Sequence, residues 1–168
     1  MNNNDSFRSL RYTFNLNDKK MIKLFSLAGL EVTREQVSQW LKREEDPDYK
    51  SLKGSEFASF LNGLIIKNRG KREGPPPKPE DWMTNNLILK KLKIALELKS
   101  DDIKELLEMS NFPISDHELS AFFRKRDHKH FRQCQDQFLR LFLKGLQLKY
   151  RPEEHEADLD EEISDKPD

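Results

Sequence analysis

Between Arg124 and Cys134 the chain reads RKRDHKHFRQC, the densest gathering of reactive groups in its 168 residues. His128, His130 and Cys134, with Asp127 and Asp136 beside them, are all possible metal ligands. Structural zinc sites, however, draw on paired ligands of the C-x2-C or H-x3-H kind. One H-x-H and a single cysteine make an irregular set, and the surrounding cations repel a metal ion. A second chemistry is nucleophilic: His130 and Arg132 could favour the Cys134 thiolate. That use also requires an oxyanion donor and a third orienting group, and the sequence identifies neither. There is no phosphate-cradling glycine loop, G-x-S-x-G or H-E-x-x-H, and only six glycines are present. The expectation is a non-enzymatic chain with no metal and no cofactor.

Positive charge remains. Arg124, Lys125, Arg126, Lys129 and Arg132 crowd this loop, and Lys90, Lys91 and Lys93 lie on an earlier helical stretch. These eight are the candidate partner-binding residues, suited to carboxylates or phosphates. Tyr49 and Phe131, at matching places in the chain, could stack on nucleic-acid bases or serve packing. A DNA-reading helix-turn-helix is not present. In MIKLFSLAGLEVTREQVSQWLKR, eight steps separate Gly29 from the next inward apolar residue, Val37, too many for the short turn of that motif. Bases near a helix C-terminus also have a plain structural use, because they complement the helix dipole.

The elements that hold these groups emerge when the chain is shifted against itself by 82 residues. Residues 3–69 then align with 85–151 without a gap, with 12 identities in 67 pairs. Apolar character persists where identity does not. Phe7, Leu10 and Phe14 fall on Leu89, Leu92 and Leu96, and Met21, Leu24 and Phe25 fall on Ile103, Leu106 and Leu107. Val37, Trp40 and Leu41 match Leu119, Phe122 and Phe123, while Phe57, Phe60, Leu61 and Leu64 match Leu139, Phe142, Leu143 and Leu146. Each group recurs at i, i+3, i+4 or i+7, which places it on one stripe of a helix. The expected fold is all-α, a tandem duplication of a four-helix unit forming a pseudo-symmetric body.

Caps divide the helices. Asn4 and Asn86 are expected to cap the first helix of each copy, and Asp18 and Ser100 the second. Thr33 with Gln36 and Ser115 with Glu118 read as capping boxes at the third, which should end near Arg43 and Lys125. A loop of about ten residues then leads to the fourth helix. There FLNGL and FLKGL place Gly63 and Gly145 mid-helix, where glycine costs roughly 1 kcal/mol against alanine. Close approach of another helix backbone at these two positions would offset that cost.

The boundaries read as 1–69 and 85–151 for the two repeats, 70–84 for a Pro-rich extended connector, and 152–168 for a disordered acidic tail. The formal charge is zero, yet the tail carries nine acids and one base. The first repeat holds 12 bases and 9 acids, the second 14 and 9, so the second is the more basic. With 36% charged residues and a mean hydropathy of −0.88, every element keeps a wet face. No apolar run is long enough for a membrane span, the start lacks the pattern of a secretion signal, and the single cysteine suits a reducing compartment. A cytoplasmic home is expected.

NGLI followed by KNRGK, the paired NN starts, and DHKHFRQCQDQFLRLFLKGL resemble the bacterial YehS-like family, over residues 1–150. That family is a domain of unknown function. The resemblance implies a small cytoplasmic helical protein with two copies of one domain, and it brings no activity, cofactor or catalytic residue. The functional expectation is a helical interaction module whose partner is an unknown protein with an acidic surface. The alternative is RNA or DNA bound through the basic second repeat.

Overall fold

The computed structural model describes residues 1–152, so all but Pro152 of the segment read as a tail lies outside the described residues. Every regular element among them is an α-helix: α1 Asn3–Thr13, α2 Asp18–Leu27, α3 Arg34–Leu41, α4 Gly54–Arg69, α5 Asn85–Ala95, α6 Ser100–Met109, α7 Asp116–Ala121 and α8 Asp136–Tyr150. The first four and the last four correspond one to one under the shift of 82.

Helix starts follow capping chemistry, with two corrections to the sequence reading. Asn2 and Thr84, not Asn4 and Asn86, cap α1 and α5, accepting from the N–H groups of Asp5 and Leu87. Asn17, not Asp18, caps α2 by accepting from the Lys20 N–H, and Lys99, not Ser100, precedes α6 with no side-chain cap bond, its own N–H donating to an Asp102 carboxylate oxygen at 2.7 Å. An N-cap has extended backbone geometry, so the side chain that caps must stand one residue outside the helical turn. At α3 the box of Thr33 and Gln36 is complete, and Ser115 accepts from the Glu118 N–H at α7. Both third helices end before Arg43 and Lys125, at Leu41 and Ala121.

Helix ends repeat as faithfully. Asn15 and Glu97 take left-handed backbone after the first helix of each copy, with φ of 51° and 53°. Gly29 and Asn111 do so after the second, at 87° and 58°. This conformation lets the next residue fold back: Leu16 and Leu98 donate to the Arg11 and Lys93 carbonyls at 3.0 and 2.9 Å.

Within each copy the fourth helix packs across the second. A Cβ on Gly63 would collide with the Leu24 carbonyl, and one on Gly145 would come within 2.9 Å of the Leu106 carbonyl carbon. The two helices therefore meet backbone to backbone at these glycines. Phe7, Phe25 and Phe60, all fully buried, pack ring on ring around Trp40 in the first copy.

Between copies, α4 lies on α5 and α8 lies on α1. Because α1 corresponds to α5 and α4 to α8, the same contact is made twice, as in an isologous dimer interface. One apolar cluster runs through both halves. Polar bonds close the seam. Asn68 Nδ2 donates to the Ala95 carbonyl at 2.9 Å, and Gln147 Nε2 donates to Ser9 Oγ at 3.0 Å. Arg69 pairs with Glu97, and its counterpart Arg151 donates to the Tyr12 carbonyl at 2.8 Å. The connector is pinned at its end, where Asp81 lies against Gly54 and Glu80 pairs with Lys91 at 3.0 Å. Among the described residues no helix is long and apolar enough to cross a membrane.

Candidate anion-binding surface on the second repeat

The loop after α7 takes its shape from Asn86, in the first turn of α5. Its Nδ2 donates to the carbonyls of Phe122 and Arg132 at 3.0 and 2.8 Å, and its Oδ1 accepts from the Cys134 N–H at 2.9 Å. The neighbouring Asn85 donates to the Cys134 carbonyl at 3.0 Å. The first copy repeats these four bonds and adds one, from the Tyr49 hydroxyl to Asn4 Oδ1 at 3.2 Å, which Phe131 cannot make in the second. Asn4 donates to Trp40 and Lys50 at 3.0 and 2.8 Å and accepts from Leu52 at 3.0 Å, while Asn3 donates to Leu52 at 3.2 Å. An amide side chain fits because it carries donors and an acceptor together. The NN pairs are thus loop clamps.

Inside the loop the same turn forms twice. Lys50 N–H reaches the Gln39 carbonyl at 3.2 Å, and Arg132 N–H reaches Ala121 at 3.1 Å. The Asp48 N–H donates to an Asp46 carboxylate oxygen at 2.9 Å, where the second copy has His130 N–H donating to His128 Nδ1 at 3.0 Å. An imidazole has replaced a carboxylate in an otherwise conserved turn geometry. The charge changes with it. Residues 42–53 carry four bases and four acids, and residues 124–135 carry five bases and one acid.

Lys125, Arg126, Lys129 and Arg132 are exposed, and Arg124 is half-buried. None of the five forms an ion pair with a described residue. The earlier lysines divide. Lys90 is exposed, and Lys93 is half-buried with its ammonium 5.2 Å from the Phe123 ring centre. Lys91 belongs to the seam: its side chain is 11% exposed, pairs with Glu80, and donates to Asn62 Oδ1 at 2.6 Å. It is withdrawn from the surface to which the sequence assigned it, because its face of α5 turns toward α4.

The reactive groups of the opening motif also disperse. Cys134 is buried in the core, where the first copy has Leu52. Burial foremost, then the charge of Asp136, pushes its thiol up to about 12. The Asp136 carboxyl is held below its usual range by a hydrogen bond from Asn85 and another from the Met1 amine. His128 and His130 stay on the exposed loop with ring centres 5.6 Å apart. Among the described residues no three potential ligands gather in a metal-holding group.

Between α7 and the loop lies a groove of about 450 Å³ lined by His117, Glu118, Ala121, Lys129, His130, Phe131 and Arg132. Four of these were named from the sequence: Lys129 and Arg132 as partner-binding bases, Phe131 as a possible stacking ring and His130 as a possible ligand. His117, Glu118 and Ala121 were not legible as site residues, since only the folded loop brings them beside Arg132. One signal was present: Ala121 stands where the first copy has the larger Gln39.

The molecule is a duplicated all-α protein in which one copy presents a basic loop and its twin does not. The chain belongs to the family described as a protein of unknown function (DUF1456), whose family model matches residues 3–70 and again 85–151. It is 44% identical over 147 residues to the uncharacterized protein YehS of Escherichia coli (strain K12), covering 87% of this chain and 94% of that protein. No solved structure matches it.

Proposed function

We propose that this chain is a non-enzymatic interaction module that binds a protein partner with an acidic surface through residues 122–135. One observation carries the reading: two loops with the same backbone hydrogen bonds differ in charge, so the charge serves no common folding need. Arg126 stands where the first copy has Glu44, and Lys129 stands where it has Pro47. Bases that form no ion pair with a described residue can complement a partner's carboxylates, which raises association rate and selects against basic surfaces. The deeply placed Cys134 thiol, held neutral, supports a reading without nucleophilic chemistry.

The test is affinity capture from lysate with the full chain and with Arg124→Glu/Arg126→Glu, each with and without nuclease, followed by crosslink mapping. The expected result is an acidic protein that crosslinks within residues 122–135, survives nuclease, and is lost with the charge-reversed variant. Capture that vanishes with nuclease would transfer the surface to RNA or DNA. Capture insensitive to the charge reversal would refute the reading.

A further inference from the structure

We infer that the groove between α7 and the following loop is a nucleotide site, binding a phosphate at Lys129 and Arg132 and a base against Phe131. This goes beyond the protein-binding reading and stands without it, since the groove needs no partner chain to be complete.

The lining decides the ligand class. Lys129 and Arg132 carry fixed positive charge and form no ion pair with a described residue, so the groove attracts an anion. A guanidinium beside an ammonium suits phosphate oxygens, which accept several hydrogen bonds at once. A bare phosphate would leave most of the space empty. At about 450 Å³ the groove falls within the ~300–1,000 Å³ range of small-molecule sites. Its remaining walls offer flat surfaces: the Phe131 ring and the imidazoles of His117 and His130 can all stack on a base. Glu118 supplies an acceptor on the groove's wall. Its carboxylate accepts from the Ser115 hydroxyl at 3.1 Å and keeps further acceptor capacity, which suits an exocyclic amine or a ribose hydroxyl at the end of the ligand away from the phosphate. A nucleoside phosphate is the chemistry that employs every one of these groups.

The first copy supplies an internal control. The equivalents of His117 and His130 are Glu35 and Asp48, Pro47 replaces Lys129, and Gln39 replaces Ala121 on the groove's wall. Two carboxylates and one lost ammonium would oppose a phosphate there, and the longer Gln39 side chain takes up space that Ala121 leaves open. The site is therefore expected on the second copy alone. The same comparison gives substitutions that this backbone already tolerates. Ala121→Gln fills the groove. Lys129→Pro with His130→Asp deletes one ammonium and adds one carboxylate, while keeping a turn that the first copy builds with Pro47 and Asp48.

The experiment is a titration of the full chain, followed by amide NMR shifts and calorimetry. The probes are AMP, GMP, CMP and UMP, with inorganic phosphate, adenosine and a 5′-phosphorylated single-stranded tetranucleotide. Saturating shifts are expected at residues 117, 118 and 129–132. At least one nucleoside monophosphate should bind at least about tenfold more tightly than inorganic phosphate or adenosine, because both ends of the ligand are held. Ala121→Gln and the Lys129→Pro/His130→Asp variant should each weaken it about tenfold or more. A tetranucleotide that binds more tightly than the monophosphate identifies a strand as the source, and equal affinity identifies the free nucleotide; both support the site. Three results would overturn it: no saturating shifts with any monophosphate, inorganic phosphate binding as tightly, or affinity unchanged in both variants. Ala121→Gln leaves every charge of the loop in place, so it should weaken nucleotide binding while keeping protein capture within about twofold, which makes loss of nucleotide binding and loss of protein capture separable.

Discussion

Asn86 Nδ2 stands 2.8 Å from the Arg132 carbonyl, and Asn4 Nδ2 stands 2.8 Å from that of Lys50. One side chain near the start of each copy therefore fixes a loop 46 residues away. Without the clamp, several loop carbonyls and N–H groups would lose their partners.

Asn4 is 1% exposed, so its replacement leaves buried polar groups unpaired. Asn4→Ala should destabilise the chain by roughly 2–4 kcal/mol, since each orphaned group costs about 1–3 kcal/mol. Asn86→Ala should cost less, because its bond to Arg132 lies near solvent, yet it should increase amide exchange across residues 122–134. Urea unfolding and hydrogen exchange measure these effects. Exchange unchanged in that loop would contradict the clamp.

Gly63→Ala and Gly145→Ala test the backbone contacts. On an exposed helix, replacing glycine by alanine gains about 1 kcal/mol. Here the added methyl meets the carbonyl of Leu24 or Leu106, so each variant should instead lose roughly 1–3 kcal/mol through forced separation of the helices. A raised melting temperature for either would show that the contact has room to relax.

Cys134 should be inert in the folded chain. With its thiol near 12 instead of the ordinary 9.0, it is only about one part in ten thousand thiolate at pH 8. A thiol-labelling reagent should react slowly in buffer and rapidly in denaturing urea. Because the folded state holds this proton more tightly than the unfolded, its contribution to stability declines as pH rises from about 9 toward 12. Equal labelling rates in buffer and urea would contradict the burial.

Pattern made the fold legible. Leu24 over Leu106 and Gly63 over Gly145 are readable by shifting the chain, because cores preserve size and spacing where letters drift. Position within a turn was not readable at Asn4 and Asn86. An asparagine near a helix start has the chemistry of a cap, and only the partners supplied by residues 36 to 48 positions away make it a clamp. Lys91 misled for a related reason: among three lysines within four residues, the sequence alone did not mark which one faces α4. The α7 side of the groove was hidden because His117 and Glu118 are ordinary exposed residues of a short helix until the loop folds beside them.

If the charge of residues 122–135, and not the helical scaffold, recruits the partner, exchanging that charge should abolish recruitment. Quantitative capture decides this with a variant carrying the first copy's residues in this loop, Arg126→Glu, Lys129→Pro and His130→Asp, compared with the unaltered chain across a salt series. Unaltered chain should capture an acidic protein in a salt-sensitive manner, and the variant should lose at least about tenfold in affinity while its melting temperature stays within a few degrees. Undiminished, salt-independent capture by a folded variant would contradict the claim.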